Sequence, residues 1–442
     1  MRDLVEQLFM LAIHAGGRYH HAVKVRPAGD NATLIELGDV TAEELHRAAR
    51  EMRERAGVVS VIVGHSSLYV IRGDATGVRI EPQREPRAHR LHVAFDGPDL
   101  PQLLERVSRD EFLSRVAALR LTARYLGFRA GFAYLDGWPE EWAMPRRATS
   151  RPVAAGSFAI AGSVAGFYPI DTPGGWNVLG RTDAELEHAF VPGDTIVITP
   201  CSDGRSGRAQ SRSLQTPALA RATLIASPLV TLLRDRAPFD DLAAAVALRA
   251  VRGNVELLEC AMTGPRLRFA RDAVTAWCDP TLNMRLQRVR AGEELAIGRI
   301  DGGLRGYLAI GDEEGVVAAN VARGDRKVIR AMRGPHDVGL EDIECDVTPQ
   351  LDRVGIRLRP RVALRVDIPA DLRSCGMQTG TVQLHPDGSL LAMGPDHPVT
   401  GGYLQPMTVL TSERWKLAQL VPGERVTLVS VGASVGANYD PS

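Results

Sequence analysis

Two glycine-paired motifs carry the chemistry open to this chain. In the first, Thr172-Pro173-Gly174-Gly175-Trp176 lies between Arg146-Arg147 and Arg181, with Tyr134 and Tyr168 upstream. A glycine pair admits a close backbone or ligand, and the aromatic after it offers a large apolar face. Guanidinium groups stay charged and make forked hydrogen bonds. Arg146, Arg147 and Arg181 therefore suit an anion or a developing oxyanion, with Tyr134, Tyr168 and Trp176 as pocket walls. The second motif, Thr400-Gly401-Gly402-Tyr403, follows Arg353, Gln383 and Asp396. Asp396 beside His397 suggests an acid–base pair, although neighbours on a strand point to opposite faces. The plainer alternatives are a tight hairpin with an aromatic core plug, and arginines on a solvated surface.

Other chemistry is excluded by what is missing. Lys24, Lys327 and Lys416 are the only lysines, and none stands in a Gly-Lys-Ser/Thr loop that would cradle a triphosphate. There is no Met-Lys-Met for covalent biotin and no Ser-Ser-Lys relay. Five scattered cysteines without a Cys-x-x-Cys fit a reducing cytoplasm, with no zinc site or disulfide framework. A net charge of zero favours neither nucleic acid nor an anionic membrane. No apolar run is long enough to span a bilayer. The stretch Leu8 to Ile13 is apolar, but Asp3 and Glu6 precede it and no clear cleavage site follows, so no signal peptide is expected.

The elements that must position these groups are mostly short strands. With 442 residues the chain needs two to four domains, and 43 glycines and 27 prolines supply many turns. Two short strands are expected in Val23 to Glu36, then a helix capped by Thr41 and Glu44 with Leu45, Ala48, Ala49 and Met52 on one face, ending at Gly57. Strands follow at Val58 to Val63 and Ser67 to Ile71, then a charged linker from Glu81 to Arg90. A second capping box, Ser108 and Glu111, precedes Phe112, Val116 and Leu119 at helical spacing. After Arg129 glycine-rich turns separate short apolar strands, as in a barrel or sandwich. Cys201 to Pro217 reads as a linker, with later helices at Asp241 to Ala250 and Glu413 to Leu420.

An internal repeat is visible. Gly156 to Ile160, Thr172 to Trp176, then Pro192-Gly193-Asp194 before Ile196 to Ile198 share their order with Gly380 to Leu384, Thr400 to Tyr403, then Pro422-Gly423-Glu424 before Val426 to Leu428. Ala291-Gly292-Glu293 before Leu295 to Ile297 is a weaker third copy of the last feature. Two or three homologous barrel lobes are inferred.

Gly127-Phe128-Arg129-Ala130-Gly131-Phe132-Ala133-Tyr134-Leu135 resembles the motif G-F-x-P-G-F-x-Y-L of the B subunit of bacterial 5-oxoprolinase. That family is also labelled allophanate hydrolase subunits 1 and 2. Pro145 to Thr149, Ala155 to Gly162, Gly166-Phe167-Tyr168-Pro169 and Thr172 to Thr182 continue the match. Asp241, Gly253-Asn254, Leu258-Glu259, Gly264-Pro265, Asp352 to Leu358, Gly380 to Gln383, Asp396, Thr400 to Tyr403 and Gln419 resemble the C subunit. The chain thus resembles a natural B–C fusion, related to the carboxyltransferase domain of urea carboxylase.

The fold implied is α+β and β-dominated, a small N-terminal α+β domain followed by repeated cyclophilin-like barrel lobes. The expected boundaries are an extension at 1–22, the α+β domain at 23–128 and the B-half barrel at 129–200. A linker at 201–219 and two C-half lobes at 220–318 and 319–442 follow. The resemblance implies a cytoplasmic hydrolase component acting on a cyclic amide C–N bond, opening 5-oxoproline to glutamate with ATP. A separate A subunit is the implied partner, with no covalent biotin and no metal. The task is then to polarise a small amide, with Arg146, Arg181 and Asp396 as catalytic candidates. Phe128, Tyr134, Arg147, Ser157, Tyr168, Gly174, Gly175, Trp176, Arg353, Gln383, Thr400, Gly401, Gly402 and Tyr403 are the substrate-binding candidates.

Departures from the family pattern fall in the C half, where Cys375 and Pro398 replace a carboxylate and a glutamine. A second reading is a regulatory protein, since relatives with these halves inhibit a histidine kinase or antagonise that inhibitor. A third, a biotin-dependent carboxyltransferase, is opposed by the shortened segment Val230 to Arg236. Self-association stays open, with no symmetry specified.

Overall fold

The structure, a computed structural model, describes residues 23–73, 84–129, 131–186, 189–201, 219–226, 229–234, 236–317, 323–369 and 372–432. The expected N-terminal extension, most of the 201–219 linker and the start of the charged linker at Glu81 lie outside them.

Strands β1 (Lys24–Pro27), β2 (Ala32–Glu36), β3 (Val58–Val63) and β4 (Ser67–Arg72) form an antiparallel sheet of order β1-β2-β4-β3. Helix α1 (Ala42–Arg53) starts on the expected capping box, with Glu44 N–H donating to Thr41 Oγ1 and Thr41 N–H to Glu44 Oε2. It ends at Arg53 rather than Gly57; Gly57, at φ 76°, instead makes the turn into β3. Alternation sends Ile35, Val61, Val63, Leu68 and Val70 toward the α1 side. Leu34, Ile62, Tyr69 and Ile71 point the other way, into a core that also holds Cys375 and Val399. Burial on both faces explains why these strands read as continuous apolar runs.

The first barrel is a closed ring of seven strands: β5 (Ala88–Ala94), β6 (Leu121–Leu126), β7 (Ala133–Asp136), β9 (Ser157–Ala161), β10 (Val164–Phe167), β12 (Asn177–Arg181) and β13 (Thr195–Cys201). Its order around the ring is β5-β12-β9-β10-β7-β6-β13, closed by a parallel β13–β5 pair. Strands β8 (Arg151–Val153) and β11 (Thr172–Gly174) form a separate ribbon. Between β5 and β6 lie α2 (Leu100–Leu104) and α3 (Arg109–Ala118). Ser108 caps α3 from one side only, accepting from Glu111 N–H, while Glu111 faces Arg115. The sequence reading grouped residues 88–126 with the small domain, whereas β5 and β6 are staves of the barrel. The reason is the β5–β13 pairing, a contact between distant segments that no local pattern encodes.

Ten strands follow, β14 (Ala222–Ala226) to β23 (Glu313–Glu314), with α4 (Asp241–Arg249). They form sheets of three, five and two strands and close no ring among the described residues. The weak third repeat leads into β21 (Glu294–Ala296), which lies antiparallel on β18 (Arg266–Phe269). The expected barrel lobe at 220–318 is therefore a set of open sheets. A shared Gly-Glu turn specifies a bend, not the strand that pairs after it.

The second barrel comprises β24 (Val328–Arg333), β25 (Ile343–Leu351), β26 (Gly355–Pro360), β28 (Thr381–Leu384), β29 (Leu390–Met393), β31 (Leu404–Val409) and β32 (Arg425–Val431). Its ring order is β24-β31-β28-β29-β26-β25-β32, closed by a parallel β24–β32 pair. Strand for strand this is the order of the first barrel. Even the side ribbon recurs, as β27 (Cys375–Gly376) paired with β30 (Thr400–Gly401). Helix α5 (Arg414–Ala418) precedes β32. Among the described residues no helix is long and apolar enough to cross a membrane.

Candidate functional site at the junction of the two barrels

The tight connection from β6 to β7 begins the site. Phe128 sits at φ 59°, a left-handed conformation costly for a bulky residue. It is held there by aromatic neighbours: Phe132 with ring centroids 5.4 Å away and Tyr168 at 6.0 Å. Phe132 in turn meets Trp176 at 5.3 Å, Tyr134 meets Trp176 at 5.6 Å, and Tyr125 stacks on Tyr134 at 4.4 Å. The glycine pair serves close approach, as its sequence implied. A Cβ on Gly174 would collide with the Tyr168 hydroxyl, and one on Gly175 would lie 3.0 Å from Arg146 Nε.

Of the three arginines singled out, only Arg146 has no ion pair among the described residues. Arg147 pairs with Asp99 at 3.1 Å, and Arg181 with Asp96 at 2.8 Å on the surface. Arg147 also donates its backbone N–H to Gly175 O at 2.8 Å, fixing the loop that presents Arg146. Burial pushes the Tyr134 and Tyr168 phenols up, against a smaller opposing effect of Arg146. At neutral pH the box is thus uncharged, with one exposed guanidinium beside it. Ser157 lies buried in the barrel wall, where its carbonyl accepts from Tyr168 N–H at 2.9 Å.

The second motif meets this box. Thr400 Oγ1 donates to Leu126 O at 2.7 Å, and a Cβ on Gly127 would collide with that hydroxyl. Gly401 packs against Gln383, a buried side chain whose Nε2 reaches Met377 Sδ at 3.6 Å. Gly402 lies by Ser374; burial pushes the Tyr125 phenol up to about 12, against a smaller opposing effect of Ser374. Tyr403 is close enough to Tyr134 to raise its pKa further. The two motifs, read separately in the sequence, therefore border one site.

A residue that sequence reasoning missed also belongs here. His385 stacks on Tyr403 with centroids 4.3 Å apart and planes 25° from parallel. Burial first, then the Arg357 charge, lowers its pKa, so the imidazole is neutral at pH 7. Its Nε2 is buried without a hydrogen-bond partner among the described residues. The available signal was a histidine opening the Pro386-Asp387-Gly388 turn between β28 and β29.

Arg353 and Asp396 sit elsewhere. Arg353 grips Asp396 through Nε and Nη2 at 3.0 Å, and meets Glu259 at 2.7 Å. Arg236 adds a third contact to Asp396 at 3.1 Å. Asp396 is thus a carboxylate held by arginines, while His397 Nδ1 lies 2.7 Å from Pro398 O. The Arg353 pair continues into a buried network of Tyr307, Asp240, Arg323 and Gln419 that ties the middle sheets to the second barrel. Cys375 is buried against Gln405 Nε2 at 3.3 Å, and burial pushes its thiol up to about 12. A cavity of about 270 Å³ lies away from the box, between α1 and the first barrel. Its Arg50 and Arg53 are offset by Glu54 and Glu85, and its Arg84 by Asp194.

Residues 23–189 match the model of the carboxyltransferase domain, subdomains C and D, and residues 237–340 and 317–430 that of subdomains A and B. The 5-oxoprolinase B subunit of Haemophilus influenzae is 50% identical over 187 residues, covering 37% of this chain and 88% of that protein. The chain belongs to the carboxyltransferase-domain family. In family terms, the C/D region supplies the aromatic box and Arg146, and the A/B region supplies Thr400 to Tyr403 and His385. The 5-oxoprolinase B subunit of Bacillus subtilis is 39% identical over 200 residues, 37% of this chain and 83% of its own length. The crystal structure of TTHA0988 shares the fold, with a TM-score of 0.68 at 23% identity over 92% of this chain and all of that one.

Proposed function

We propose that this carboxyltransferase-family chain is the fused B and C component of a 5-oxoprolinase, opening the lactam with ATP alongside a separate A subunit. The observation that carries this reading is the join of Thr400 to Leu126, which borders the aromatic box with the A/B-region loop. A small neutral lactam suits uncharged aromatic walls. Arg146 would hold the carbonyl oxygen as charge grows on it. His385, neutral and with a free Nε2, would exchange a proton with the amide or the attacking water. Asp396 has no part in this chemistry, since its oxygens are committed to arginines. ATP would enter with the A subunit, because no loop in this chain has a triphosphate-binding pattern.

The test is to mix the purified chain with the A subunit from its own source and assay ATP-dependent glutamate formation from 5-oxoproline. Turnover abolished by Arg146→Ala or Trp176→Ala supports the reading. A stable complex without turnover points to another substrate. Neither complex nor turnover favours a regulatory protein, a reading helped by the paired Asp396 and the inert Cys375. Binding to a histidine kinase dimerisation domain would then be the measurement.

A further inference from the structure

Beyond β26 the chain leaves the second barrel on a long connection to β27. Arg361 is its last anchored residue, with its N–H on Glu344 O at 2.9 Å and its guanidinium on Asp346 at 3.1 Å. From residue 363 to 369 the chain runs with no turn, bend or helix. No backbone N–H or C=O of residues 362–368 has a hydrogen bond among the described residues. Backbone groups need partners, and an extended segment with open groups on its edge is a template for another strand.

The side chains are those of a strand. Leu364 and Val366 are half-buried against the second barrel's core, while Val362 and Ile368 are 79% and 44% exposed. Arg365 and Asp367, alternating with Leu364 and Val366, are exposed and have no ion pair among the described residues. A strand with apolar residues left uncovered at both ends, and polar groups along its edge, is incomplete as it stands.

We propose that residues 364–368 pair antiparallel with the same residues of a second copy of this chain, about a two-fold axis at Val366. The charge pattern selects both occupant and register. With Val366 on the axis, Arg365 faces Asp367 of the second copy twice, and Leu364 faces Ile368 twice. An axis at Arg365 would set two guanidinium groups opposite each other, and an axis at Asp367 two carboxylates. Opposite charges directly across a ladder stabilise it and like charges destabilise it. An interface of this kind is isologous and closes at two copies. It is also small, so the dimer forms and dissociates with concentration.

The inference does not depend on the enzymatic reading, and its test needs only the full chain. Sedimentation equilibrium at low salt would show a reversible monomer–dimer transition. Arg365→Asp and Asp367→Arg would each weaken the dimer by about tenfold or more, since each places like charges across the ladder. The chain carrying both substitutions would regain the wild-type dimer, because the pairs are restored with reversed sign. A wild-type chain that stays monomeric, a dimer indifferent to the single reversals, or a double variant that fails to recover would each overturn the proposal.

Discussion

The Thr400 hydroxyl donates to the Leu126 carbonyl at 2.7 Å, joining two strand ends 274 residues apart in the chain. Leu126 ends a strand of the first barrel, and Thr400 begins the ribbon strand of the second. Gly127 and Gly401 leave the space this approach requires. The second-barrel region is also held to the small N-terminal domain by Gln378 Nε2 on Ala28 O, by Thr411 on Asp30 and by Arg373 on Asp39. Because both regions lie in one chain, this contact is intramolecular and forms without a concentration term.

Gly127→Ala should loosen that join, because the added methyl meets the Thr400 hydroxyl. Thr400→Val should do so more mildly, leaving the Leu126 carbonyl without this donor at a cost of about 1–3 kcal/mol. Urea denaturation followed by tryptophan fluorescence would show both losses. An unchanged midpoint for Gly127→Ala would contradict the close packing described.

Arg146 and Arg181 should separate in the assembled assay. Arg146→Ala should cut kcat by about 10²–10³-fold, as loss of an oxyanion donor does. Arg181→Ala should have little effect, since that side chain is spent on an exposed pair with Asp96, a contact of small energetic weight. The reverse order would move the site to the outer end of β12.

His385 sets an expectation for pH. Its lowered pKa keeps it a base at neutrality, so kcat/KM should fall on the acid side as the imidazole takes a proton. His385→Gln should lower kcat by about 10²-fold and remove that acid limb. Retention of the limb in the variant would assign it to another group.

Asp194 should control acid stability. Burial opposes its charge, but bonds from Arg84, the Arg87 and Val191 N–H groups and His89 outweigh this and hold its pKa below the usual range. A carboxylate with a depressed folded pKa stabilises above its unfolded pKa, and that contribution is lost as pH falls through the folded value. Asp194→Asn should therefore cost about 3–5 kcal/mol at pH 7, as breaking a buried ion pair does. The gap to wild type should close in acid. A pH-independent difference would assign the effect to packing.

Thiol labelling should discriminate among the cysteines. Cys260, Cys278, Cys345 and Cys375 are buried with raised pKa values, whereas Cys201 is partly exposed. Brief alkylation of the folded chain at pH 8 should modify Cys201 alone, since only an accessible thiolate reacts. Early modification of Cys375 would contradict its burial against Gln405.

Local chemistry was legible in the sequence. The Thr41–Glu44 capping box, the strands of the small sheet and the glycine pair beside Trp176 depend on residues near one another, and each formed as read. The repeat was legible because both barrels use the same turn-and-strand grammar. Arg147 and Arg181 read as free cations because their partners, Asp99 and Asp96, lie before them in the chain with no pattern linking them. His385 was passed over because stacking on Tyr403 is a contact between two loops.

By itself the sequence determined what depends on short range: strand and turn content, the family, the repeated lobe and the residue types able to polarise an amide. The tertiary structure alone decided which strands close a ring, why the third repeat stays open, that Asp396 is held by Arg353, and that Thr400 meets Leu126. These are pairings across long stretches of chain. Their free energy comes from burial and geometric fit between surfaces that exist only once each lobe has folded.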